Sequence, residues 1–276
     1  ELVAESVPNQ NLTEPKEQTK FAVELVILGV AQDGGYPHIG CNRGCCKTLL
    51  KDGEQGAQVV SLAVVSHLTH QVWLLEATPD FTSQNAKACA LVSETPNPSS
   101  KAKPKRVVDG IFITHAHIGH YTGLMYLGRE AMGAKEVPIY AMPKLNKYLQ
   151  TNGPWSQLVG LGNIKLSPLA NEQPQQLSDQ LSITPTIVPH RDEFSETVGY
   201  TIQGPDKSAL FIPDIDKWSK WDKDLIDEIS KVDYALLDAT FFANGEISRA
   251  MSEVPHPFVS ETMELLQDLP AAEKAK

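Results

Sequence analysis

The apolar pattern of the chain predicts a layered fold of sheets and helices, of the α/β or α+β class. Three observations carry that expectation. Short runs rich in branched residues, such as Phe21–Val30, Val59–Ser66 and Val107–Thr114, suit buried strands. None approaches the length of a membrane span. Stretches with helical spacing lie between the runs, and 276 residues are enough for one large domain or two small ones. Sheet packed on sheet with outer helices is one such layering, although periodicity by itself does not select it.

In chain order, residues 1–20 are polar, hold two prolines and lack apolar periodicity, so they read as a disordered leader or tether before a domain over 21–276. The Phe21–Val30 run enters the glycine-rich turn Asp33-Gly34-Gly35, with Pro37 behind it. Val59–Ser66 and Gln71–Ala77 are separated by a short polar stretch, as in a hairpin. A helix is expected over about 80–92, then a proline- and serine-rich loop over Glu94–Arg106. The Val107–Thr114 strand gives way to a helical pattern over Gly119–Met132, with Leu124, Leu127 and Ala131 on one face. Further strands are expected at Leu181–Val188, Val198–Gln203, Ala209–Ile212 and Tyr234–Asp238. Helices are expected near Trp221–Ser230 and Val259–Leu266, and 151–180 reads as loop.

Composition narrows the function. Hydrophobic residues at 41% and charged residues at 21% are those of a soluble globular chain. Lys and Arg total 24 against 34 Asp and Glu, a formal charge of −10 that repels phosphate backbones. The one basic cluster, Lys101–Arg106, lies in the proline-rich loop and reads as solvated, so a nucleic-acid partner is not expected. A small-molecule substrate is. The chain starts at Glu1 without Met, which signal-peptide cleavage and deliberate truncation both produce; with the polar leader, this leans toward a periplasmic or secreted protein.

The chemistry is concentrated in Thr114-His115-Ala116-His117-Ile118-Gly119-His120, at a strand end before a helix. Neutral imidazoles are the commonest metal ligands, and alternate residues leaving a strand can converge on one ion. Three of the eight histidines fall within six residues, which a plain polar turn does not explain. A second cluster, Cys41, Cys45 and Cys46, suggests a metal knuckle or a vicinal pair, while Cys89 stands alone in the expected helix. His67 and His70 flank the hairpin turn and read as solvated. Trp218 and Trp221 read as core or rim rather than as a substrate platform.

The histidine stretch resembles the His-x-His-x-Asp-His signature of the metallo-β-lactamase superfamily. That resemblance implies an αββα sandwich of the α+β class, two mixed β-sheets with outer helices. Matching motifs follow in the same order: Leu74–Asp80, Val188-Pro189-His190, Phe211-Ile212-Pro213-Asp214 and Val254-Pro255-His256. Within the superfamily the chain is most similar to the pyrroloquinoline quinone biosynthesis protein B family, from about Leu25 to the C-terminus. The marks are Gly34-Gly35-Tyr36-Pro37, Gly119–Leu124, Leu127-Gly128-Arg129-Glu130 and Leu236–Phe242.

The resemblance implies a first metal site of His115, His117 and His190, completed by Asp214 or water, and a second of His120, His256 and Asp214. Gly119 departs from the pattern, because it stands where the superfamily has Asp and offers no side-chain oxygen. One tightly held zinc is therefore expected, with a weak or absent second ion, and Gly119→Asp is expected to strengthen the second site. Asp33 is read as a turn residue, with replacement of the missing carboxylate as the lesser alternative. Glu76 and Asp80 are expected to orient the histidine-bearing strand.

Zinc with an open position activates water near neutral pH, so a hydrolase of a small ester, lactam, lactone or phosphodiester is the first expectation. In it Asp214 orients the nucleophile, and His120 or His256 assists the substrate. Ferrous iron and an oxygenase or accessory role in redox-cofactor biosynthesis is the alternative, since that family is associated with hydroxylating a tyrosine-derived precursor. A non-catalytic metal carrier is the third. For the cysteines the resemblance implies a structural zinc, with His38 as nearest fourth ligand. The spacing Cys-x-x-x-Cys-Cys departs from the relatives' Cys-x-Cys-x-x-Cys, and export would favour a disulfide instead.

Overall fold

In the computed structural model, residues 22–52, 56–92, 106–247 and 250–276 are described. The expected leader, the Lys101–Arg106 cluster apart from Arg106, and nearly all of the Glu94–Arg106 loop lie outside them.

Residues alternate across each strand, and in this chain both faces of the central strands are apolar. The first strands and helices are β1 (Val23–Gly29), α1 (Gly44–Asp52), β2 (Ser61–Ser66), β3 (Gln71–Leu75) and α2 (Phe81–Val92). After β4 (Gly110–Phe112) and α3 (Ile118–Tyr121) come β5 (Val137–Ala141), α4 (Pro143–Thr151), α5 (Trp155–Gly160) and β6 (Ile164–Pro168). Strands β1 to β6 form one sheet in sequence order, antiparallel from β1 to β3 and parallel from β3 to β6. The second sheet takes β7 (Gln175–Ser178), β8 (Leu181–Ile187), β9 (Val198–Gln203), β10 (Ser208–Ile212) and β11 (Tyr234–Leu237), ordered β11-β10-β9-β8-β7. Its β10–β11 pair is parallel and its other pairs are antiparallel. Three helices complete the chain: α6 (Leu225–Ser230), α7 (Val259–Leu265) and α8 (Ala271–Lys274).

Alternation sorts these residues into three apolar layers. Ala63, Val65, Leu74, Ile111 and Ile139 face outward onto Phe81, Ala88, Leu124 and Leu145. Their neighbours Leu62, Val64, Trp73, Leu75 and Phe112 face inward onto Ile183, Val198, Tyr200 and Phe211 of the second sheet. Leu210 and Ile212 of β10 turn the other way, onto Trp218, Trp221, Leu225 and Ile229. The order is helices, sheet, sheet, helices, the expected αββα sandwich. The middle layer is tied by Phe112, which stacks on Tyr140 (4.3 Å, 13°) and meets Tyr200 edge-on (5.6 Å, 80°). Trp218 and Trp221 are core, as read. No described helix is long and apolar enough to cross a membrane.

Several boundaries differ from expectation. The helix over Gly119–Met132 is one α turn, α3, followed by a 3-10 segment over Thr122–Leu127, and Ala131 is exposed. The break coincides with a hydrogen bond out of the helix: the Gly123 amide donates to the Ala77 carbonyl at 2.8 Å, an approach so close that a Cβ on Gly123 would lie 2.2 Å from the Thr78 carbonyl oxygen. The expected loop 151–180 contains α5, β6 and β7; β7 is a polar edge strand without a strong apolar signature. Helix α6 starts at Leu225 rather than near Trp221, because the Asp224 carboxylate accepts from the Ile226 and Asp227 amides as its N-cap.

Candidate metal centre

One end of the sandwich collects the C-terminal ends of strands from both sheets. Glu76 follows β3, His115 and His117 follow β4, His190 follows β8, Asp214 follows β10 and Asp238 follows β11. The sheets are stitched there: the Val198 amide donates to the Thr114 carbonyl at 3.2 Å, the Ala116 amide to Ser195 Oγ at 2.9 Å, and Tyr200 Oη to the Ile113 carbonyl at 2.7 Å. Histidines leaving one sheet therefore face carboxylates leaving the other. The Phe241–Phe258 bridge brings His256 to the same end.

Asp214 Oδ2 is the hub. It lies 3.4 Å from His115 Nε2, 3.4 Å from His120 Nε2 and 3.6 Å from His190 Nε2. His117 Nδ1 is 2.8 Å from His115 Nε2. Tetrahedral bonds of about 2.0–2.1 Å set ligand atoms roughly 3.3–3.4 Å apart, so this spacing fits a small divalent ion. His115, His117, His190 and Asp214 form one group able to hold a metal; Asp33, His120 and Asp214 form a second; Asp214, Asp238 and His256 form a third. His120 and His190 are buried with ring nitrogens that have no hydrogen-bond partner, which a cation would satisfy.

The outer nitrogens explain how the rings are set. A carboxylate only accepts, so a ring nitrogen facing an outer carboxylate carries a proton, which would leave the inner nitrogen to a cation when one is bound. Glu193 accepts from His117 Nε2 at 3.0 Å and Asp238 from His256 Nδ1 at 2.7 Å. Asp216 faces His190 Nδ1 at 3.3 Å and Glu76 faces His120 Nδ1 at 3.5 Å, while His115 Nδ1 meets Thr114 Oγ1 at 2.9 Å. Glu76 is fully buried and takes the left-handed backbone region (φ 80), a costly conformation of the kind found at functional sites.

Electrostatics follow the same division. Burial holds His115 down to about 3 and His190 down to about 4, so both rings are neutral, the form a metal needs. Burial also opposes charge on His120, yet the Asp214 and Glu76 carboxylates hold it well above the usual histidine range. Asp214 is buried too, but His120 and His115 keep it well below the usual carboxylate range. Positive charge is therefore favoured at the His120–Asp214 side.

The sequence-derived set comes together, with amendments. His115, His117, His190 and Asp214 converge. His120 sits with Asp33 and Asp214, whereas His256 pairs with Asp238 beside Asp214. Asp33 belongs to this centre rather than merely to its turn: its Oδ1 is 3.2 Å from His120 Nε2. Glu76 has the expected orienting position; Asp80 instead accepts from the Val59 amide at 2.8 Å, fixing α2 against the strand before it. Asp216, Asp238 and Glu193 were not singled out as partners of the histidines. An Asp at a strand's end inside an apolar run, as at Asp238, was the available signal; Glu193, on an exposed loop, gave none.

Cys41, Cys45 and Cys46 are free thiols whose sulfurs lie within 4.8 Å of one another. His38 is not part of that group; its Nδ1 contacts the Ile39 carbonyl at 2.9 Å. A hydrogen bond with Cys46 lowers the Cys41 thiol, and Cys46 is pushed up to about 11. His67 is half-buried and pairs with Glu24 at 3.0 Å instead of lying free in solvent. Beside the centre a cleft of about 470 Å³ is lined by Lys144, Lys147, Tyr148, Asp192, Glu193 and Phe194.

Comparison with known proteins agrees with this architecture. The family model described as β-lactamase superfamily domain matches residues 73–275. Curated relatives named coenzyme PQQ synthesis protein B include one from Nitrosococcus oceani, 22% identical over 255 residues, 81% of this chain and 76% of the relative. Another, from Gluconacetobacter diazotrophicus, is 25% identical over 250 residues, 83% of this chain and 76% of the relative. The crystal structure of Zn(2+)-bound PqqB from Methylobacterium extorquens superposes with a TM-score of 0.66 at 22% identity, covering 84% of this chain and 80% of that one.

Proposed function

We propose, from the premise that the chain belongs to the β-lactamase superfamily, that it is a metal-dependent hydrolase of a small substrate carrying an ester, lactam, lactone or phosphodiester bond. Zinc is the proposed ion, with His115, His117 and His190 as the residues that would hold it, Asp214 beside them and the fourth position left for water. The observation that carries this reading is the convergence of three imidazole nitrogens and one carboxylate oxygen near tetrahedral spacing, next to an open cleft. Three histidines with a carboxylate are a hydrolytic donor set more than the two-histidine, one-carboxylate set of ferrous oxygenases. Zinc, when bound, supplies Lewis acidity and a nucleophilic water at neutral pH.

The chain's own residues then do the rest. Asp214 Oδ2, already shared among imidazoles, accepts a proton or hydrogen bond from attacking water. His256, with its proton fixed on Nδ1 by Asp238, has Nε2 free to handle a proton at the leaving group. Glu193, Asp216 and Thr114 hold the imidazoles against rotation.

Hydrolysis of chromogenic carboxylic ester, lactam, lactone and phosphodiester substrates by zinc-loaded protein tests the reading. One class is expected to turn over, with loss on chelation and in His117→Ala. No turnover of any class by fully loaded protein would reject it in favour of a metal carrier. The names of the curated relatives favour a second reading, an accessory role in coenzyme PQQ synthesis, for which ferrous iron would be the alternative ion. Oxygen uptake dependent on ferrous iron, with no hydrolysis, would select it.

A further inference from the structure

We infer that Asp33 supplies the carboxylate that Gly119 lacks, so that Asp33, His120 and Asp214 make a second divalent-cation site beside the first. The inference rests on the proposed three-histidine centre, with which it shares Asp214. Its starting point is steric. A Cβ built on Gly119 would lie 2.3 Å from Asp33 Oδ1 and 2.6 Å from Asp33 Cγ. The space a side chain at 119 would enter is filled by the Asp33 carboxylate, delivered from the turn after β1. One carboxylate can occupy it, from one position or the other.

The local hydrogen bonding aims that carboxylate. The Gly119 amide donates to Asp33 Oδ2 at 3.3 Å, leaving Oδ1 to face His120 Nε2 at 3.2 Å. Asp214 Oδ2 is 3.4 Å from the same nitrogen, so both separations match the edge of a tetrahedral site, about 3.3–3.4 Å. The independent sign of a ligand is His120 itself. Its ring is fully buried, both its nitrogens lack a hydrogen-bond partner, and Nδ1 is backed by the buried Glu76 carboxylate at 3.5 Å. Three carboxylates around one buried imidazole call for a cation, and a cation at Nε2 uses the lone pair that the Glu76 contact leaves available.

This geometry also corrects the expectation for Gly119→Asp. The added side chain would collide with Asp33 rather than add a ligand, so the single variant is expected to melt lower and gain no metal. Moving the carboxylate, by Asp33→Gly together with Gly119→Asp, removes the clash with the side chain but leaves the new Cβ 2.8 Å from the Cα of residue 33, so the turn has to shift and the double variant is also expected to melt lower.

Cobalt(II) titration of the full chain tests the assignment, because thiolate charge-transfer absorption separates any ion at the cysteines from ions at the imidazole centre. Wild type is expected to take two ions at the centre. Asp33→Asn keeps the shape of the side chain and is expected to bind one, with affinity for the other at least about a hundredfold weaker, beyond what loss of an outer partner does. Retention of both ions by Asp33→Asn at unchanged affinity would overturn the role of Asp33. A single ion in wild type, unaffected by Asp33→Asn but lost in His117→Ala, would overturn the second site and leave the three-histidine reading intact. No cobalt at the imidazoles in wild type would overturn both.

Discussion

His190 and Asp33 sit on the same Asp214 hub side of the molecule, but they are held by different kinds of structure. His190 follows a strand paired along its length, and the Pro189 carbonyl accepts from the Asp216 amide at 2.7 Å, locking it to the segment after β10. Asp33 rides on a turn whose base is pinned by one bridge, Ala31 to Val59, and by amide bonds from Val30 and Ala31 to the Gln58 carbonyl, both 2.9 Å. Strand ends fix a ligand through a ladder that the whole core supports. A turn fixes it through a few backbone bonds and leaves it freer to adjust. The difference implies that the three-histidine side behaves as part of the fold, and the Asp33 side as a more tunable addition.

Removing a strand-end ligand gives the largest expected effect. His190→Ala deletes one of the three imidazoles, while Asp214 keeps His115 and His120 and Asp216 keeps Lys220 at 3.1 Å. Loss of tight metal binding should remove several kcal/mol of transition-state stabilisation, about three orders of magnitude in rate. Metal content and turnover measured on the same preparation check this. Full occupancy in the variant would mean that strand-end placement does not identify the ligands.

The orienting carboxylates sharpen the comparison, since one is buried and one is exposed. Glu76→Gln changes a fully buried group facing His120, and cation affinity on that side should fall toward a hundredfold, the upper part of the usual 10–100-fold range, about 10². Glu193→Gln changes a carboxylate nearly half exposed to solvent, and the effect should stay near or below about tenfold. Metal titrations of both variants decide the point. Equal losses would mean that burial does not set how strongly an outer partner acts.

The same contrast accounts for what was legible in the sequence. His115, His117 and His120 are read directly because a strand end compresses ligands into a short motif. His190, Asp214 and His256 follow by their order along the chain and by resemblance. The contact of Asp33 with His120 is not legible in the sequence, because it joins two remote segments and depends on the missing side chain at Gly119. A missing side chain in the sequence does not announce which remote group fills its place. Likewise the layering of sheets and helices is legible as a class, but α1, β5, α4, α5, β6 and β7 are not; a polar edge strand such as β7 and a six-residue helix such as α5 carry little periodicity. Packing against neighbours, not local pattern, forms them.

The smallest effect is expected at the cysteine cluster, which lies on the same segment as Asp33. Tyr36 Oη donates to the Cys45 carbonyl at 3.2 Å, and Arg43 Nη1, between the thiols, donates to the Glu246 carbonyl at 2.7 Å, so the segment is tied at two points. With three sulfurs and no fourth side-chain ligand grouped with them among the described residues, zinc there would complete its tetrahedron with water or another donor. Cys41→Ser should remove that zinc. It should not empty the three-histidine side, whose residues leave β4, β8 and β10. On the Asp33 side the loss should be less than about tenfold, smaller than for an outer partner of a ligating histidine, because the Ala31–Val59 bridge and the Gly35 amide's bond to the Gln32 carbonyl at 2.8 Å remain. Zinc stoichiometry with thiol counting, followed by titration of the imidazole centre, measures both quantities. If Cys41→Ser emptied the Asp33 side, the knuckle rather than the bridge would be what positions that carboxylate, and the turn would have to be regarded as a switch worked by the thiols.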